Sequence, residues 1–332
     1  MTARIEEFGH TRAGQPVSRV WLEAGGLRAA VLTRGAVLQD LRLQGVAHPL
    51  TLGAPEIAAY EGPMRYLGAV VGPVANRIGG AQAVIAGRSY RFEANEGTTT
   101  LHGGDAGLHA HHWSIDRAET DLLCLSCTLR DGEGGFPGNR RISAEYRLKA
   151  PATLTLRLRA ASDAPTLMNL ANHSLWNLDG TATHDGHRLR IKADRYLETD
   201  VHKLPIAPPR PVAGTRFDLR RARSLDAPQG YDHNFCLADA PTALRAVAEL
   251  TGARGIRMVL ETTEPGLQLF DATGFDSAPH AGHGGAPLGN RAGIALEAQR
   301  WPDAPNNPGF PSILLEGGAL YEQITRFRIS RV

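Results

Sequence analysis

Six short segments hold polar side chains among apolar neighbours in ways that an exposed surface does not require. The clearest is Asn169-Leu-Ala-Asn-His-Ser-Leu-Trp-Asn-Leu178. Drawn as a strand, it puts His173 on one face with Asn169, Ala171 and Leu175, and Asn172, Ser174 and Trp176 on the other. Polar groups on both faces of an apolar strand need partners, because burying them unpaired is costly. A site explains them better than a solvent face. Tyr231-Asp-His-Asn-Phe235 sets the Asp232 carboxylate, an imidazole and an amide beside aromatic rings. In Pro265-Gly-Leu-Gln-Leu-Phe270, Gln268 and Phe270 share a strand face. An amide beside a ring suits sugars, whose hydroxyls need hydrogen bonds and whose C–H faces pack on aromatics.

The other three segments are weaker when taken singly. Arg77, next to Asn76 in Gly72-Pro-Val-Ala-Asn-Arg-Ile-Gly79, could donate several hydrogen bonds to a hydroxyl-rich ligand, but a capped turn with a surface arginine would look the same. His102 precedes Gly103 and Gly104, which let the backbone approach closely whatever the ring touches; most loop histidines are merely polar surface. Glu297 and Gln299 share one face of a strand in Ile294-Ala-Leu-Glu-Ala-Gln-Arg-Trp-Pro-Asp-Ala-Pro-Asn306, and that pattern alone reads as an exposed edge.

Some motifs argue for nothing. His109, His111 and His112 lack a recognisable ligand spacing, so no metal is expected. The loop His280 to Gly289 has glycines but no P-loop Lys-Ser/Thr and no dinucleotide fingerprint, and reads as a mobile surface loop. Asn172-His-Ser174 fits a glycosylation acceptor only by coincidence, since the first 15 residues show no signal peptide. Cys124 and Cys127 lie three apart on a strand pattern, on opposite faces and roughly 10 Å apart, too far for a disulfide. With Cys236 they read as structural thiols of a reduced, cytoplasmic protein.

The elements that must position these residues are strands. Ile142, Ala144, Tyr146 and Leu148 alternate with Arg141, Ser143, Glu145 and Arg147. The same period of two recurs at Leu154 to Leu158, Arg188 to Lys192 and Arg326 to Ile329, each the signature of a half-buried strand. The 37 glycines and 21 prolines are about 17% of the chain, above the average of roughly 12%, and punctuate these runs with turns. Helical signal is confined to Ala54–Tyr60 and Ala240–Leu250. Many strands without regular helices between them predict an all-β, large antiparallel sandwich in a single domain over residues 1–332. The charge of +2, from 36 Lys+Arg against 34 Asp+Glu, excludes nucleic acid as the main partner. Only Lys149, Lys192 and Lys203 are lysines. No run reaches the 18 or so apolar residues of a membrane-spanning helix.

Taken in order, the segments resemble the aldose 1-epimerase (galactose mutarotase) family. The matching pieces are Ala75-Asn-Arg-Ile78, Leu101-His-Gly-Gly104, Asp131 to Gly138, Asn172-His173 with Asn177-Leu178, Gly214 to Asp218 and Tyr231-Asp-His233. Pro265-Gly266 with Gln268, Leu296-Glu-Ala-Gln299 with Pro302-Asp-Ala304, and a strand from Tyr321 to Ile329 complete a series covering roughly residues 20 to 330. The resemblance implies a β-sandwich of the galactose-mutarotase type and interconversion of the α and β anomers of a free monosaccharide, without cofactor. It also implies Glu297 as general base, His173 as general acid, and Asn76, Arg77, His102, Asp232 and Gln268 as sugar-binding residues. Three departures bear on the preferred sugar. Pro73 stands where the family commonly has an Arg, removing a second cation; Trp176 replaces a Tyr or Phe; Leu315-Glu-Gly-Gly318 replaces a Pro-Gly-Glu turn.

Two other readings use the same residues. A glycoside hydrolase would employ Glu297 and Asp232 as a carboxylate pair. A non-catalytic sugar-binding module would have no need of both His173 and Glu297.

Overall fold

The computed structural model describes residues 2–225 and 230–332. The alternating run at Arg140–Lys149 forms a strand whose Ile142, Ala144, Tyr146 and Leu148 are fully buried, while Arg141 is exposed. It pairs with Leu122–Leu129 on one side and Thr153–Ser162 on the other. Leu154 and Leu158 there continue the apolar face across to Phe327 and Gln323 of Leu320–Arg331. That last strand lies in the middle of a nine-stranded antiparallel sheet, between Thr153–Ser162 and Ile256–Thr262. Arg159 donates to Glu322, 163 residues further along the chain.

A second, six-stranded sheet runs in the order Leu175–Trp176, Ile294–Gln299, Gly266–Phe270, Asp232–Cys236, Arg195–Thr199 and Pro205–Pro211. Ile294, Leu296, Ala298, Leu267 and Leu269 point from it into the same apolar core as Leu156, Leu158 and Phe327 of the larger sheet. Trp176 packs on Phe327 with ring centroids 4.8 Å apart. The two sheets therefore form a sandwich. A four-stranded sheet, Arg4–His10, Pro16–Ala24, Leu27–Leu32 and Leu38–Leu43, adds Val20, Leu22, Ala29 and Leu41 to that core.

Two sequence expectations change. The first helical candidate shrinks to Ile57–Tyr60. The second is a strand, Arg245–Thr251, paired with Arg188–Ile191 and Ile256–Thr262. Its alanines favour helix locally, but neighbouring strands bury Val247, Ala248 and Leu250, and tertiary pairing overrides propensity. The strand Ile294–Gln299 is not an edge either: it sits between two partners, and all six of its residues are buried. Cys124, Cys127 and Cys236 are unpaired thiols, and burial pushes those of Cys127 and Cys236 up to about 12. No helix among the described residues is long and apolar enough to cross a membrane.

Leu296, 2% exposed, is the inward neighbour of Glu297. Leu296→Ala should cost about 2–5 kcal/mol through lost burial and the cavity left behind, read as a lower midpoint in urea denaturation.

Candidate active site

The outward face of the six-stranded sheet carries what the core face cannot. Alternation sends Leu296 and Ala298 inward and Glu297 outward, beside Gln268 on the adjacent strand. Gln268 in turn stands opposite Asn234, and Asp232 opposite Phe270. Segments around Tyr66, Asn76, His102, Lys203 and Phe275 cover this face and leave a cleft of about 220 Å³. A larger opening, about 660 Å³, lies between His48, Asn177 and the loop around His283. Among the described residues no carboxylate lines it, whereas the smaller cleft brings two carboxylates, Asp232 and Glu297, together with His102 and His173.

Glu297 is 2% exposed, and its Oε2 has no hydrogen-bond partner among the described residues. Burial raises its pKa, and the neighbouring His173 only partly offsets this. His173 lies in the break between the short strands Ala171–Asn172 and Leu175–Trp176, so its ring leaves the sheet plane and enters the cleft. Its Nε2 stands 3.7 Å from Glu297 Oε1, and its Nδ1 is buried without a hydrogen-bond partner among the described residues. At that distance the two groups are neighbours without being hydrogen-bonded to each other. Asn172, 8% exposed, donates to Gly68 O and holds the break; a buried side chain of this kind is no glycosylation acceptor.

Asn76 and His102 are locked together. His102 N–H donates to Asn76 O (3.0 Å), and Asn76 N–H donates to His102 Nδ1 (3.2 Å). Both residues have positive φ, +62° and +54°. Because Nδ1 accepts, the proton of the neutral ring is on Nε2. Burial holds the His102 pKa well below its usual value, so the ring stays a neutral donor in the cleft. Gly103, at φ +88°, lets this loop pass so close that a Cβ would stand 2.3 Å from Gly72 O. The neighbouring Arg77 is clamped by Glu96 through Nε (2.5 Å) and Nη2 (2.8 Å), which leaves Nη1 facing Asp232 at 3.9 Å.

Asp232 behaves oppositely to Glu297. Burial alone would raise its pKa, but Lys203 and Arg77 outweigh burial and keep it below the ordinary value. Gln268 Nε2 donates to Oδ1 (2.7 Å), and Lys203 Nζ lies 2.9 Å from Oδ2. With both oxygens engaged, Asp232 is an ionised anchor and not a proton donor.

Six of the seven residues expected from the sequence line the cleft: Asn76, Arg77, His102, His173, Asp232 and Glu297. Gln268 does not; it stands behind Asp232 and orients it. Sequence reasoning missed Lys203, Glu96 and Tyr66. Tyr66 packs between His102 (4.7 Å) and His109 (4.6 Å), which places His109 in a supporting layer with its pKa depressed to about 3 by burial. Among the described residues, the group with ligand atoms close enough to consider for a metal is His102, His173 and Glu297, within 4.8 Å of one another.

The departures noted in the sequence fall elsewhere. Pro73 packs beside Gly103 and Trp176 lies in the core, while Leu315 pairs with Thr166; none of the three lines the cleft. Lys203, not an arginine before Ala75, supplies the second cation.

Comparison with known proteins agrees with this geometry. Residues 18–328 match the family model described as aldose 1-epimerase. The chain is 34% identical to galactose mutarotase of Homo sapiens over 328 residues, covering 96% of this chain and 95% of that protein. It is 29% identical to aldose 1-epimerase of Escherichia coli K12, with 95% and 96% covered. Among solved structures, an aldose epimerase homologue from C. elegans superposes with a TM-score of 0.89 at 27% identity, covering 95% of this chain and 99% of that one. A galactose 1-epimerase from Lactobacillus acidophilus gives 0.85 at 26% identity, covering 100% and 99%. A match of this extent, over a sandwich of the same kind, makes this chain a member of the aldose 1-epimerase family.

Proposed function

We propose that the protein is an aldose 1-epimerase that interconverts the α and β anomers of a free aldose such as galactose or glucose, with Glu297 as general base and His173 as general acid. The observation that carries the roles is the pairing of these two groups at 3.7 Å, with buried valences free on each. Both oxygens that must exchange protons, the anomeric hydroxyl and the ring oxygen, are bonded to C1, so acid and base have to be close neighbours. Ionised Glu297 takes the hydroxyl proton while protonated His173 gives one to the ring oxygen, and the C1–O5 bond breaks to the open-chain aldehyde. Rotation about C1–C2 presents the other carbonyl face. Reversed proton transfers close the ring and restore both groups.

The environments divide the labour between the carboxylates. Glu297, poorly solvated, gains from accepting a proton; Asp232, held by cations, stays charged and binds hydroxyls. His102, Arg77 and Asn76 would fix the sugar so that both catalytic groups meet their atoms, with Phe270 offering a ring to its C–H face. The cleft draws on residues from Asn76 to Glu297, which favours reading residues 1–332 as one domain. Three unpaired cysteines suit the reducing cytoplasm.

In polarimetry on a freshly dissolved α-anomer, Glu297→Gln and His173→Asn should each lose about 10²- to 10⁴-fold in rate while remaining folded. Near wild-type rates in either purified variant would overturn the roles. Because the base works ionised and its pKa is raised, kcat/KM should fall on the acid side at a pH above the ordinary range for Glu. That limb should be absent from the residual activity of Glu297→Gln. The same shift bears on stability. A carboxyl that binds its proton more tightly when folded costs stability as pH rises through its folded pKa. Glu297→Gln should therefore raise the thermal midpoint at neutral pH and lose that advantage below the ordinary Glu pKa.

A further inference from the structure

Lys203 sits at the tip of a turn between Arg195–Thr199 and Pro205–Pro211. The turn is rigidly built: Asp200 Oδ1 accepts from His202 N–H (2.8 Å) and Leu204 N–H (2.9 Å), and Asp200 O from Lys203 N–H (3.0 Å). Leu204 packs against Gly79, two residues from Arg77. Lys203 itself has φ +60°, a conformation lysine seldom adopts, and its ammonium lies 2.9 Å from Asp232 Oδ2 on the cleft wall.

We propose that Lys203 is a substrate-binding, specificity-determining residue that grips, together with Asp232, two neighbouring hydroxyls of the sugar; this rests on the aldose 1-epimerase reading of the cleft. The chemistry favours a pair of this kind. A carboxylate only accepts hydrogen bonds and an ammonium only donates, whereas a hydroxyl does both. Side by side, they satisfy adjacent hydroxyls in one defined direction, and charge-assisted bonds make the match strong. Arg77, whose Nε and Nη2 are taken by Glu96, has Nη1 left beside Asp232, so Lys203 adds donors that Arg77 does not supply. Lys203 is half exposed, and Asp232 takes one of its three donors, which leaves two toward the cleft and its mouth.

A half-exposed ion pair with no such role contributes little to anything, so the two cases separate cleanly. Mutarotation kinetics would be measured for wild type, Lys203→Met and Lys203→Arg on one aldose and its monodeoxy derivatives. For wild type, removing one of the gripped hydroxyls should cost about 10- to 100-fold in kcat/KM. Lys203→Met should raise KM for the parent sugar by about tenfold, with kcat within about twofold, and should no longer discriminate against that deoxy sugar. Lys203→Arg should restore part of the discrimination. An unchanged KM, or a loss equal on every deoxy sugar, would overturn the proposal. Absence of mutarotation by the wild type would instead overturn the reading of the cleft, and the role of Lys203 with it.

Discussion

A carboxylate held out of water in the middle of a sheet is the most demanding group in this molecule. Ionised Glu297 forfeits hydration and feels the like charge of Asp232, and His173 and Arg77 offset this only in part. Such a group cannot sit on an open surface or an edge strand, where water would solvate it and return it to ordinary acidity. The sandwich core supports the strand from behind, and the segments carrying Tyr66, His102 and Phe275 roof it from the front. Much of the chain between Ala54 and Leu108 is explained by that need for cover.

The same constraint distributes charge around the cleft. Arg77, clamped by Glu96, and Lys203 both lie toward Asp232. The cations keep Asp232, the carboxylate that must remain ionised, below its ordinary pKa. His102 contributes a donor with no charge at all, because a backbone N–H occupies its second nitrogen. Each polar group thus has one protonation state fixed by its surroundings, apart from the pair that has to exchange protons.

Most of this framework was legible in the sequence because strand alternation is a local property. Ile142 to Leu148 announces both its pairing and its buried face, and the spacing of Leu296, Glu297 and Ala298 already separates core from site. What local pattern could not convey was the burial of the second face. Ile294–Gln299 looks like an edge strand until its two partners and its roof are known. Arg245–Thr251 looked helical because alanine preference is visible in the chain and its strand neighbours are not. Lys203 was unreadable for a related reason: its turn carries no motif, and its importance comes from meeting Asp232, a residue 29 positions away on another strand. Gln268, expected as a sugar contact, stands behind Asp232 and hydrogen-bonds to it.

The placement of Leu320–Arg331 has a consequence for how the molecule comes into being. The strand that fills the centre of the nine-stranded sheet is the last to leave the ribosome among those described. Until it arrives, Thr153–Ser162 and Ile256–Thr262 each present an unpaired edge, and the sheet exists as two separate halves. Contacts as distant as that of Arg159 with Glu322 carry a large loop-closure cost and form late. Nascent chains of this fold must therefore wait with sticky strand edges exposed, which makes synthesis, more than the finished protein, the stage at which aggregation threatens.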